Sequence, residues 1–79
     1  MDEHRVAPRR RILKAGTIEF GGGTIDCIVK NISDTGAALD VVTPLFIPDR
    51  FVLYIPSDKF KRRCRIIRRS QRRIGVTFE

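Results

Sequence analysis

Few of the residues that build catalytic or metal centres are present in this chain. It has one histidine, two cysteines, one methionine, one tyrosine and no tryptophan. His4 stands in a charged leader with no cysteine nearby. Cys27 and Cys64 are far apart and belong to no Cys-x-x-Cys pair, so no metal site at zinc spacing is expected. Each cysteine lies within an apolar alternating segment, where a free thiol acts as a small hydrophobe, and both are read as reduced and buried. There is no Gly-x-x-x-x-Gly-Lys phosphate loop and no nucleophile beside a base, and the chain is read as no enzyme and as needing no cofactor. No apolar run approaches the roughly 18 residues of a membrane span, and the leader MDEHRVAPRRR lacks the hydrophobic stretch of a secretory signal. The expectation is a cytoplasmic protein with no membrane partner.

What the chain does have is positive charge and alternation. Its 79 residues carry 16 Lys and Arg against nine Asp and Glu, a formal net charge of +7. Such an excess favours an anionic partner without choosing among nucleotide, nucleic acid, lipid headgroup and acidic protein. The length allows one domain with one core and leaves little for a deep catalytic cleft. Residues 1–11 are polar, basic and interrupted by Pro8, and read as a flexible N-terminal arm; residues 12–79 read as the folded domain. Within it, apolar residues recur at period two over Ile12–Phe20, Thr24–Ile32, Ala37–Val42, Arg50–Ile55, Lys59–Arg69 and Ile74–Phe78. Gly21-Gly22-Gly23 suits a hairpin loop. Pro44, Pro48 and Pro56-Ser57-Asp58 punctuate the third and fourth strands, and no segment carries a helical apolar stripe. Six short strands and no helix predict an all-β fold, a six-stranded antiparallel barrel, since closure buries one face of a small sheet and removes its edges.

Two polar clusters remain once core positions are set aside. In Arg5-Val6-Ala7-Pro8-Arg9, with Arg10 and Arg11 behind, the proline fixes its own φ and biases Ala7 towards extended geometry, so the guanidinium groups sit on a partly stiffened stem. A guanidinium fork matches two phosphate oxygens or the O6/N7 edge of guanine. Taken alone, this reads first as a solvated basic tail. In Asn31-Ile32-Ser33-Asp34-Thr35-Gly36, a two-residue step puts Asn31 and Ser33 on one face, and Gly36 leaves room for a close backbone approach. Taken alone, this reads first as a hairpin turn.

In combination the clusters resemble the PilZ domain, a family marked by Arg-x-x-x-Arg before the first strand and Asp/Asn-x-Ser-x-x-Gly after the second. Arg5 and Arg9 match the first motif, and Asn31, Ser33 and Gly36 the second. The likeness extends through nearly the whole chain, including Pro8-Arg9, Gly36-Ala37 and the closing Ile74-Gly75-Val76-Thr77-Phe78. The resemblance implies a bacterial second-messenger receptor: a six-stranded barrel whose outer surface binds cyclic di-GMP. Arg5 and Arg9 would form the clamp, Asn31, Ser33 and Gly36 the floor, and Arg10 would be an auxiliary. Binding would order the arm and relay the signal to a downstream protein. Two departures stand out. Many members end in a C-terminal helix, whereas this chain is read as ending with its last strand, so that a homodimer could cover the exposed face; and the second motif opens with Asn in place of Asp, which removes a negative charge.

The remaining basic stretch, from Lys59 to Arg73, alternates partly with apolar residues and reads as the wet face of two paired strands. It also raises two competing functions, a small basic barrel that binds nucleic acid, and an adaptor with the fold but without nucleotide binding. Nucleic acid is disfavoured because the aromatic residues that stack bases are few and mostly at core-like positions.

Overall fold

Strict alternation decides which face of each strand is buried. The computed structural model describes residues 10–79, with side chains from Ile12 onward. Its strands are β1 (Arg10–Phe20), β2 (Gly23–Ile32), β3 (Gly36–Asp40), β4 (Arg50–Ile55), β5 (Phe60–Arg69) and β6 (Arg73–Phe78), and they close into an antiparallel barrel in the order β1-β2-β3-β6-β5-β4. The predicted all-β, six-stranded barrel is the observed fold. The first strand begins at Arg10, which pairs with Ile32, so the last two residues assigned to the arm stand in the sheet. Among the described residues the only helical turn is the 3-10 segment Pro56–Asp58, ended by Lys59 at φ 54° with its N–H bonded to Pro56 O.

The barrel is filled by the inward residues of every strand: Ile18, Cys27, Val29, Leu39, Leu53, Ile55, Cys64, Ile74 and Val76 are all buried. Burying one large aliphatic side chain contributes about 1.5–3 kcal/mol, so this cluster supplies the main drive for closure. Both cysteines are free and buried in it, as expected from their alternating context. The β1–β2 hairpin turns through Gly21-Gly22, with Phe20 paired to Gly23 at φ 146°, an angle that disfavours any residue with a Cβ. At one mouth of the barrel Lys14 reaches Asp58 with both carboxylate oxygens in range, at 2.7 and 2.9 Å. No helix among the described residues is long and apolar enough to cross a membrane.

Three irregularities interrupt the ladders. The β1–β2 register shifts between Arg11 and Lys14, the β2–β3 register between Val29 and Asn31, and the β5–β6 register between Ile66 and Arg68. Each is a bulge, and a bulge changes the face on which the following residue emerges. Leu13, within the first, takes a φ of 41°, a left-handed conformation that costs a non-glycine residue roughly 1 kcal/mol.

Candidate functional site

The bulges explain why polar side chains gather on one outer face. Cys27 and Val29 point inward, and plain alternation would send Asn31 after them into the core. The extra residue at Lys30 resets the phase: Asn31 pairs with the outward Ala38, while Ile32 pairs with the buried Ala37 and packs against the core. In β5 the same device operates at Ile67. Ile66 pairs with Val76 on the inner face, and Arg68 emerges outside, opposite Gly75.

Asn31 and Arg68 thereby come to line one cleft of about 330 Å³, together with Ser33, Gly36, Ile67 and Arg73. A second cleft of about 440 Å³ adjoins it along Leu13, Lys30, Asn31 and Arg73, so Asn31 and Arg73 border both. The predicted members Asn31, Ser33 and Gly36 are thus brought together. Arg5 and Arg9 lie outside the described residues. Arg10 belongs to β1, where it pairs with Ile32, and Arg11 pairs with Asn31, so the chain enters the barrel at the cleft's edge.

Local chemistry fixes the turn that forms the floor. Ser33 N donates to Gly36 O at 2.8 Å, and Ser33 Oγ accepts from the N–H groups of Thr35 and Gly36, both at 3.3 Å. The hydroxyl proton is only loosely engaged, with Gly36 O and Thr35 Oγ1 each at 3.4 Å, and can turn towards a ligand acceptor. Thr35 O takes bonds from Phe78 N at 2.8 Å and Thr77 Oγ1 at 3.2 Å, which ties the turn to β6. Gly36 is required by packing between strands. Its φ is not positive, and a Cβ there would collide with the Val76 carbonyl oxygen. The glycine lets β3 approach β6 closely, whatever occupies the cleft.

The cleft is cationic. Arg68 and Arg73 stand on its β5–β6 side and Lys30 on its β2 side, with Asp40 as the local counter-charge. Arg73 Nε donates to Asp40 Oδ1 at 2.7 Å and Lys30 Nζ lies 3.7 Å from Asp40 Oδ2. The hydrogen bond from Arg73 is the main effect that holds the Asp40 carboxyl below its ordinary value; burial opposes it, and the charges of Arg73 and Lys30 add to the lowering. Ile67, 62% exposed, adds a flat apolar surface beside these charges. Arg68 and Arg73 were read from sequence as parts of the wet face of two paired strands, and Ile67 was not singled out. The signal that places them was the broken alternation at Ile66-Ile67, where two large apolar residues stand side by side.

The architecture is thus a small closed barrel with a cationic, polar cleft floored by an Asn-x-Ser-x-x-Gly turn. The PilZ domain family profile matches residues 3–79, and the chain belongs to this family, which is known for binding cyclic di-GMP and whose domains are typically non-enzymatic receptors. No curated protein matches the chain.

Proposed function

We propose that the protein is a receptor for cyclic di-GMP, bound in the cleft over Asn31, Ser33 and Gly36 and clamped by Arg5 and Arg9, with Arg10 as an auxiliary. The observation that carries this reading is the outward placement of Asn31 and Ser33 beside Arg68 and Arg73, at the point where the N-terminal segment joins β1. An extended chain spans at most about 3.6 Å per residue, so Arg9 is tethered one residue from the cleft's edge and Arg5 within roughly 18 Å of it. Both are within reach of a ligand seated there.

The chemistry is complementary. Two phosphates require charged donors, which the arginines supply as planar forks. The guanine edge offers O6 and N7 acceptors and an N2 donor, which the Asn31 amide and the Ser33 hydroxyl satisfy. Ile67 gives a base face somewhere to lie out of water. Closing the arginines of the leader over the bound nucleotide reshapes the surface that a downstream protein reads, a coupling of binding to the ordering of a segment. Arginine, asparagine and serine in these roles bind and orient; none forms or breaks a covalent bond.

Calorimetric titration with cyclic di-GMP tests the proposal, using GTP and a linear guanine dinucleotide as controls. Arg9→Ala and Asn31→Ala are each expected to weaken binding by at least tenfold, the loss of about 1.4 kcal/mol or more in charge-assisted or base-edge contacts. Tight binding indifferent to both substitutions would move the ligand elsewhere.

A further inference from the structure

The loop joining β3 to β4 exposes side chains that water does not favour. Val42, Leu45 and Phe46 are 85%, 77% and 78% exposed, more than any other large apolar residue among those described. The loop is nevertheless anchored. Val41 and Ile47 are buried at its two ends, and Val41 N donates to Arg72 O at 2.9 Å. Arg69 reaches over from the end of β5 and donates to Pro44 O at 2.8 Å, Ile47 O at 2.9 Å and Asp49 Oδ1 at 2.8 Å. Pro44 and Pro48 restrict the backbone further. A fixed backbone therefore holds a Leu-Phe tip outward, where loops ordinarily carry polar residues.

Charge and size together indicate what covers the tip. Residues 40–50 and 68–73 hold five arginines against two aspartates; Asp40 is bound to Arg73, Asp49 to Arg69, and Arg50 to Glu79, so Arg68 and Arg72 have no acidic partner among the described residues. The apolar tip thus sits in a cationic collar. Three side chains of this kind present on the order of 400 Å², about half of the roughly 800 Å² that each partner contributes to a standard protein interface. That is small for a stable protein contact and sufficient for a shallow bilayer contact, in which apolar side chains enter the headgroup boundary while guanidinium groups meet lipid phosphates.

We propose that the β3–β4 loop docks the protein reversibly on anionic lipid bilayers, Leu45 and Phe46 entering the interface and the surrounding arginines pairing with the headgroups. The expectation of no membrane partner rested on the lack of a spanning segment, which has no bearing on a peripheral contact. The Leu45-Phe46 tip lies outside the lining of the cleft, while Arg68 and Arg73 of the collar line it as well.

The chain has no tryptophan, so Phe46→Trp places a single fluorescent reporter at the tip. Its emission is expected to shift to the blue with mixed phosphatidylcholine–phosphatidylglycerol vesicles, to be quenched by brominated lipid, and to stay unchanged with phosphatidylcholine alone. In a chain otherwise unaltered, Leu45→Ser with Phe46→Ser is expected to reduce co-sedimentation with the mixed vesicles about tenfold while its thermal midpoint matches that of the parent. The proposal is overturned by an absent blue shift, or by co-sedimentation that salt abolishes and the serine pair leaves intact, which is adsorption of a cationic protein. A blue shift that grows with protein concentration in the absence of vesicles also overturns it, by making the tip a contact between copies of the chain.

Discussion

Arg73 and Asp40 face each other across the β3–β6 ladder and join through an Nε to Oδ1 hydrogen bond of 2.7 Å, at the rim of the cleft. Asp40 withdraws from the cleft one of the cations that an anionic ligand would meet, and Lys30, 3.7 Å away, leans on the same carboxylate. Asp40→Asn removes the counter-charge and leaves both cations to the ligand. Affinity for cyclic di-GMP is expected to rise by about threefold at low ionic strength and the gain to fade as salt is added, because both side chains are partly exposed and screened. Titrations at two salt concentrations measure it; an unchanged or weaker affinity would place Arg73 outside the ligand's field.

The same pair sets a direction for stability against pH. The folded Asp40 carboxyl titrates below its ordinary value of 3.8, chiefly through the Arg73 hydrogen bond. A depressed folded pKa contributes stability above 3.8, and the contribution disappears as the pH falls through the folded value. The thermal midpoint of the wild type should therefore exceed that of Asp40→Asn at neutral pH, and the two should converge as the solution is acidified well below 3.8. A gap that widened in acid would contradict the sign.

Gly36→Ala separates packing from ligand contact. Its Cβ meets the Val76 carbonyl, so β3 and β6 must part or shift. A loss of about 1–3 kcal/mol in urea unfolding is expected with no nucleotide present, the usual cost of overpacking a tight site. Unchanged stability with lost binding would return the glycine to the role of admitting a flat ligand.

Alternation made the barrel legible and left the cleft half hidden, for one physical reason. A strand with a buried face announces its period, and Ile74, Val76 and Phe78 or Phe51, Leu53 and Ile55 could be placed on the inner side by counting in twos. A bulge breaks the count without changing composition. Asn31 and Ser33 were found because their motif was recognised and their two-residue spacing survived beyond the bulge. Arg68 and Arg73 stood in a run of like charges, and only the pairing of Arg68 with Gly75 and of Arg73 with Asp40 separates them from arginines such as Arg63 on the outer wall. The Arg69 contacts to Pro44, Ile47 and Asp49 span twenty residues or more and had no local signature.

Those contacts make a prediction of their own. Arg69→Met keeps much of the aliphatic stem and removes three hydrogen bonds, two of them to backbone carbonyls. Bonds from a charged donor contribute about 1.5–3 kcal/mol when buried and less at a partly exposed site such as this one. Hydrogen exchange at the amides of Val41 and Ile47, whose bonds hold the loop closed, should accelerate by about tenfold or more while the amides of β1 and β2 keep their protection. Uniform acceleration throughout the barrel would mean that Arg69 supports the whole fold rather than the loop.

The two thiols report on the core itself. Burial is the main cause that pushes Cys27 up to about 12, with the Asp26 charge adding to it, and burial likewise takes Cys64 to about 11. A raised folded pKa contributes stability that is fully present below the ordinary thiol value of 9.0 and is lost as the pH rises through the folded values, because above 9.0 the unfolded chain gains by ionising and the folded chain does not. Stability should therefore fall between pH 9 and about 12, and a Cys64→Val variant, similar in volume and without a titrating group, should fall less steeply. Alkylation at pH 8 gives the same test in another form: neither thiol should react in the native protein faster than the barrel opens, and both should react at once in denaturant. A native thiol that alkylates at the rate of a free cysteine would show that the core around it is open to solvent, which the exposures of 4% at Cys27 and 0% at Cys64 do not allow.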